Sequence, residues 1–318
     1  MHKYLIKTVE TYLSTPNGYD PMESLIFACI ASSSKNLNLQ VPLLAQSIKK
    51  CGGDLSNCPL WVIIPDSLHN ISEKTENILE SLHVKCISLD MSAHGISFPF
   101  AGYVQAAAFA ESLAYKNTAF LTWLGIDTLL LNSPVAFLLP DKKSVGYRPV
   151  HHTLIGSEIT HPPDPFWKQV YEKCHVSQDF LFPMHPHVDH NTIRPYFNAG
   201  HLVVRPERKI CQIWWEYFKK MYDDPSFEKI YGDNDLYRLF LHQAVLTGVI
   251  LSKVRRDELQ ELPFSYNYPL HLYNEAPPDR RPENLNELVT VRYEAPEILT
   301  QFLFEEAVKS WLEAWITP

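Results

Sequence analysis

The sequence predicts an α/β fold in which a mostly parallel sheet is flanked by helices. Two observations carry that expectation: apolar and amphipathic segments alternate through the first half, and the composition is that of a folded globular chain. LIFACIASS (25–33) is a short apolar run with small polar residues at its end, a buried strand. NLNLQVPLLAQSIKKCGG follows with helical apolar spacing and is closed by Gly52 and Gly53. PLWVIIPDS is a second strand, stopped by Pro65. ISEKTENILESL reads as a helix with Ser72 near its start, and HVKCISLD returns to strand. GYVQAAAFAESLAYK is an Ala-rich helix, and AFLTWLG is a fourth strand.

The second half is less regular. Residues 149–200 are rich in Pro, His and aromatics and read as long loops laid over the sheet. HLVVRP is a strand, ICQIWWEYFKKMY and NDLYRLFLHQAVLTG are amphipathic helices, and VILSKV reads as strand. The chain closes on a helix within PEILTQFLFEEAVKSWLEAW.

Composition narrows the function classes. The 318 residues are 46% hydrophobic and 20% charged, which excludes a disordered chain. A formal charge of −8 argues against a nucleic-acid partner, because phosphate neutralisation needs a basic face. The six cysteines, at 29, 51, 58, 86, 174 and 211, form no CxxC pair, and several lie in apolar runs. The first residues lack the apolar core of a secretory signal, and the apolar stretch 119–140 is interrupted by Asp127 and Asn132. A cytoplasmic protein with no membrane span is expected. Neither GxGxxG nor GxxxxGK[ST] occurs before residue 120, so a dinucleotide fold or P-loop has no support.

Three segments, in this order, carry a family resemblance: AFLTWLGIDTLLLNSP (119–134), PYFNAGHLVVRPE (195–207) and LPFSYNY (262–268). Together they resemble the nucleotide-sugar glycosyltransferases of the GT-A fold, specifically glycogenin-like family 8. The first is similar to the family's strand running into Asp-x-Asp-Thr, the second to its Phe-Asn-(Ser/Ala)-Gly segment, and the third to Leu-Pro-x-x-Tyr-Asn. The similarity spans roughly residues 25–295, in a chain read as one domain over 1–318 with a C-terminal helix at 296–316.

The resemblance implies transfer of a sugar from a nucleotide-diphosphate donor to an acceptor hydroxyl. It places Ala31, Ser32 and Ser33 near the nucleotide and Asp127 and Thr128 at the ribose–phosphate junction. Asn198, Gly200 and Gln243 fall near the sugar, and Arg292 on the diphosphate. It also implies a divalent cation, usually manganese, held by both Asp-x-Asp carboxylates and a later His. This sequence departs from that pattern: Gly125 stands at the first Asp, Arg292 at the later His, and His242 at the Asp of an Asp-Gln pair. An Arg fork binds diphosphate directly, so a metal-independent donor site is expected, with manganese at Asp127 as the alternative. A non-catalytic relative that binds a nucleotide sugar or glycan is the competing reading.

HPHVDH (185–190) matches the H-x-H-x-D-H metal motif of metallo-β-lactamase-like hydrolases, with His185, His187 and His190 as zinc ligands and Asp189 beside them. Its context is poor: no long apolar strand precedes it, and Pro186 interrupts it. A zinc hydrolase is therefore the third reading, and an acceptor-binding loop with His187 and Asp189, or a histidine-rich surface that picks up metal adventitiously, is preferred. Arg148, after a strand end, is a further acceptor-side candidate. The aromatics Phe166, Trp167, Tyr171, Phe180, Phe182, Tyr196 and Phe197 offer sugar-stacking platforms or loop packing. No nucleophile set is evident, and no catalytic residue is assigned. Asp189, Asp233, Asp235 and Glu275 are the carboxylates available to approach an anomeric carbon.

Overall fold

The computed structural model describes residues 25–66, 68, 73–91 and 98–316, so Ser72 and the N-terminal residues 1–24 lie outside the described residues. Four parallel strands form one half of the main sheet: β1 (Leu25–Ile30), β2 (Leu60–Pro65), β3 (Val84–Leu89) and β4 (Phe120–Leu124). β1 is buried along its whole length, which explains why it reads as a continuous apolar run rather than an alternating one. Between them lie α1 (Val41–Cys51), entered through a wide helical turn at Asn36–Gln40, then α2 (Glu73–Ser81) and α3 (Ala101–Ala114). The short side chains of α3, with Ala106, Ala107, Ala110 and Ala114 fully buried, let that helix lie close on the sheet.

The chain then leaves the main sheet for β5 (Thr128–Leu130) and returns as β6 (Val145–Pro149). After a long excursion it forms β7 (Phe197–Val204), then α5 (Ile210–Tyr222), α6 (Pro225–Asp233) and α7 (Asp235–Lys253). β8 (Leu259–Glu261), β9 (Tyr268–Pro269) and β10 (Thr290–Arg292) complete the strands. The main sheet has the order β3-β2-β1-β4-β7-β6-β8, and a small second sheet has the order β5-β10-β9. β7 runs antiparallel to both β4 and β6, so the sheet is mostly but not wholly parallel. This is the expected α/β architecture.

Three local expectations need correction. The excursion 149–200 is not all loop: Pro165–Cys174 is a helix, α4, started by Asp164, whose carboxylate accepts from Trp167 N at 2.8 Å with Pro165 in the first turn. VILSKV is not a strand but the end of α7. Gly248 is no helix stop; a Cβ there would overlap Cys174 Sγ, so the glycine lets two helices approach. The closing helix is in two pieces, α8 (Pro296–Leu299) and α9 (Glu306–Ile316), with Phe302 between them set edge-on against Tyr273 at 5.6 Å. Among the described residues no helix is long and apolar enough to cross a membrane.

Glu111 joins α3 to α5. Its buried carboxylate accepts the Gln212 amide at 2.9 Å, satisfying an N–H in the open first turn of α5. Burial lifts its pKa from 4.5 to about 7, although N–H groups of Gln212, Cys211 and Ile210 pull it down. The folded state therefore holds this proton more tightly than the unfolded chain. Its stabilising effect is full below the ordinary carboxylate range and fades as pH rises through about 7. Glu111→Gln keeps an acceptor and removes the titration. Urea melts should show the native protein losing up to about 3 kcal/mol relative to this variant between acid and neutral pH. Parallel stability profiles would remove Glu111 as the cause.

Candidate donor site

The site lies at the edge where β1 and β4 end and β7 begins. Because β7 is antiparallel, its first residues reach the carboxyl ends of its neighbours, and Gly125 N donates to Gly200 O at 2.7 Å. Beyond Gly125 the chain turns, with Thr128 N donating to Gly125 O at 3.1 Å, and continues into β5. β5 pairs antiparallel with β10, which sets Thr128 directly opposite Arg292. The second sheet thus delivers Arg292 to the end of the first.

Arg292 Nη2 lies 2.6 Å from Asp127 Oδ1, with the two side chains 20% and 13% exposed. Burial works against the guanidinium's charge, but neighbouring Asp127 more than offsets it and holds its pKa above the ordinary value. The guanidinium fills space that two glycines leave. A Cβ on Gly125 would stand 2.7 Å from Arg292 Cζ and 2.8 Å from Asp127 Oδ1, and one on Gly200 would overlap Arg292 Nη1. Arg292 Nε is buried with no partner among the described residues.

Six of the sequence-derived residues converge here. Besides Asp127, Thr128 and Arg292, Asn198 Oδ1 accepts from Gly200 N at 2.9 Å, and Gln243 Oε1 accepts from Ala199 N at 3.0 Å. These bonds tie the first residues of β7 to each other and to α7. Ala31, Ser32 and Ser33 follow β1 at the same sheet edge. Asn36 closes that turn, its Oδ1 accepting from Ser32 N and its backbone N–H donating to Ser33 Oγ, both at 3.2 Å. Tyr293 stands beside the pair: it is fully buried and feels the charges of Asp127 and Arg292. Tyr103 is the other residue the sequence reading missed. Its hydroxyl donates to Ala199 O at 3.0 Å, and its ring stands edge-on to Trp123 at 5.2 Å. Tyr293 follows Arg292 directly, but no spacing in the sequence marks Tyr103.

The remaining candidates are engaged elsewhere or at the border. Arg148 Nη1 bonds Leu262 O at 2.7 Å and Glu261 Oε1 at 3.1 Å, holding the end of β8. His187 is buried edge-on to Tyr268 at 4.9 Å, and burial followed by the charges of Arg148 and Arg280 lowers its pKa to about 3. His151 lies 6.4 Å from His187 and 6.1 Å from His271, centroid to centroid, and its Nε2 is 2.9 Å from Asn267 O. Burial first, then Arg292, keeps that imidazole neutral. His187 Nε2, His271 Nδ1 and the Asn267 amide group are buried without partners among the described residues. Asp189 accepts from Thr153 N and faces His152 Nδ1 at 3.2 Å, while Glu275 lies 3.7 Å from His152 Nε2. Asp235 is exposed in the first turn of α7, and the side chain of Asp233 is outside the described residues.

HPHVDH does not converge. His185 is exposed beside Thr192, His190 is exposed, and His187 points into packing with Tyr268. Phe166, Trp167, Tyr196 and Phe197 are fully buried, so they are core rather than platforms. His242 stacks on Phe100 at 4.1 Å, and burial lowers its pKa to about 3. The residues at 125 and 292 do not fit the divalent cation that the resemblance implies, since they offer a hydrogen and a guanidinium and leave Asp127 as the one carboxylate of that set. Among the described residues no group of three His, Cys, Asp or Glu side chains is placed to hold a metal.

The profile of the Rhodobacterales glycosyltransferase domain matches residues 27–253, well over half of the chain. The chain belongs to that family. It is a glycosyltransferase with a GT-A-like fold, and the family model covers the main sheet from β1 through α7. The structure of galactosyltransferase LgtC, solved with donor and acceptor sugar analogues, is similar to this chain. Its TM-score is 0.51 at 14% identity, covering 92% of this chain and 96% of that one. Mouse xyloside xylosyltransferase 1 aligns with a TM-score of 0.49 at 12% identity, over 86% of this chain and 98% of that one. No curated protein sequence matches the chain.

The interlock of Arg292 with two glycines is testable by a double-mutant cycle. Gly200→Ala should cost about 1–3 kcal/mol in urea unfolding, the usual range for overpacking, and close to nothing when Arg292 is already Ala. Equal costs in both backgrounds would show that the guanidinium does not occupy that space.

Proposed function

We propose that this glycosyltransferase takes its sugar from a nucleoside-diphosphate donor held by Arg292, without a metal. The observation that carries the reading is the half-buried guanidinium at the end of β4, seated over Gly125 and Gly200 and oriented by Asp127. A guanidinium fork presents paired N–H donors to diphosphate oxygens and opposes the negative charge that builds as the leaving group departs. Asp127 fixes the fork, and Ala31, Ser32 and Ser33 border the nucleotide. Asn198, Gly200 and Gln243 flank the sugar. The unpartnered groups of His187, His271 and Asn267 suit a hydroxyl-rich acceptor, since neutral imidazoles and an amide give and take hydrogen bonds without adding charge. LgtC was solved with donor and acceptor sugar analogues, and the shared fold supports an arrangement of this kind here. The six cysteines are all free thiols, which agrees with the cytoplasmic location included in this reading.

Isothermal titration with UDP tests the proposal. Binding should survive EDTA and gain nothing from added manganese. Arg292→Lys should weaken it ten- to a hundredfold, equivalent to about 1.5–3 kcal/mol for hydrogen bonds to a charged group. Binding that appears only with manganese, or an Arg292→Lys variant that binds like the native protein, would overturn the arginine-held donor.

A further inference from the structure

The outward face of α5 is unlike an ordinary solvated helix surface. Its inner stripe, with Ile210, Trp214 and Phe218, is fully buried in the core. Its outer side carries Ile213, Trp215 and Tyr217, each partly buried against the core, together with Lys219 and Lys220. Lys219 Nζ lies 5.3 Å over the Trp215 ring, and Lys220 and Lys253 each lie 5.6 Å over Tyr217. At the other end of the face Tyr115, 38% exposed, has Lys116 at 5.4 Å and Lys209 at 5.5 Å. A groove of about 460 Å³ lies on this face, lined by Lys209, Lys253, Ile213, Trp215, Tyr217 and Glu216.

The charge of this face opposes that of the whole molecule. Glu216 pairs with Lys219 at 2.9 Å. Lys116, Lys209, Lys220 and Lys253 have no ion pair among the described residues, in a chain of net charge −8. Lysine stems lying over aromatic rings, with ammonium groups at the rim, are suited to a boundary that is apolar beneath and anionic above. A bilayer rich in anionic headgroups has both properties, and the complementary charge makes it the occupant that fits.

We propose that this face docks on the surface of an anionic lipid bilayer. The rings and Ile213 enter the headgroup boundary, and the four unpaired lysines meet lipid phosphates. The inference does not rest on the donor reading.

Sedimentation of the full chain with vesicles tests this. Vesicles of phosphatidylglycerol in phosphatidylcholine should carry the protein down, and pure phosphatidylcholine should not. A Lys209→Glu, Lys220→Glu, Lys253→Glu variant should partition roughly a hundredfold more weakly, about fivefold per lysine. Its melting curve should stay native-like, because all three side chains are exposed. Trp215→Ala provides a second variant that leaves the charge intact and should also weaken binding. Equal sedimentation with neutral vesicles, no sedimentation with anionic ones, or a triple variant that binds like the native protein would overturn the proposal. So would capture by dextran sulfate without vesicle binding, which would make the face a site for soluble polyanions.

Discussion

A guanidinium occupies a space that only glycine can leave open, and the candidate donor site is organised around that constraint. Arg292 lies between the Cα atoms of Gly125 and Gly200, with Asp127 2.6 Å from one of its nitrogens. Any side chain at either glycine competes with the cation for volume, so three positions distant in sequence are fixed as a set. The charge needs its partner too. A half-buried guanidinium without a carboxylate carries a desolvation cost that an exposed one does not.

Topology makes this meeting possible. Parallel strands alone bring carboxyl ends to one edge, which accounts for Ala31–Ser33 and Gly125. The β7 strand adds something different: as an antiparallel insertion it contributes its beginning, Asn198–Gly200, to that same edge. The excursion from β6 to β7 starts and finishes there, so its intervening loops border the site with His151 and His187. The small sheet then supplies Arg292 from the far end of the chain, locked opposite Thr128 by strand pairing. Gln243 holds the amide of Ala199 and so couples the position of β7 to α7.

Much of this was legible in the sequence, and the reasons are specific. The strands β1 and β2 announce themselves because both faces are buried. Position 125 could be singled out because Gly-Ile-Asp-Thr stands where the family resemblance expects Asp-x-Asp-Thr. That Gly200 belongs to the same interlock was not legible, since nothing in PYFNAG says which atom approaches its Cα. Gly248 misled for a related reason: it resembles a helix stop, yet it exists to admit Cys174. HPHVDH misled in the opposite sense. Its spacing fits metal ligands, but Pro186 and the packing of His187 on Tyr268 send its side chains in different directions. The Asp164-Pro165 start of α4 was a readable signal, overlooked amid Pro- and His-rich surroundings.

Charge balance explains why the changes at 125 and 292 belong together. In the arrangement the resemblance implies, a divalent cation faces two carboxylates, so charges of +2 and −2 cancel before the donor arrives. Here one guanidinium faces one carboxylate, and +1 and −1 cancel in the same way. Changing one position alone breaks this. An Asp at 125 opposite the existing Arg292 would leave a net −1 at the proposed diphosphate position, and would force its Cβ to within 2.7 Å of Cζ. A metal ligand at 292 with Gly125 unchanged would leave Asp127 as the lone carboxylate, too few hard oxygens to hold a cation tightly. Sterics and charge thus point the same way. Each of the two arrangements is self-consistent, and a change at one position alone leaves either an unbalanced charge or a lone carboxylate.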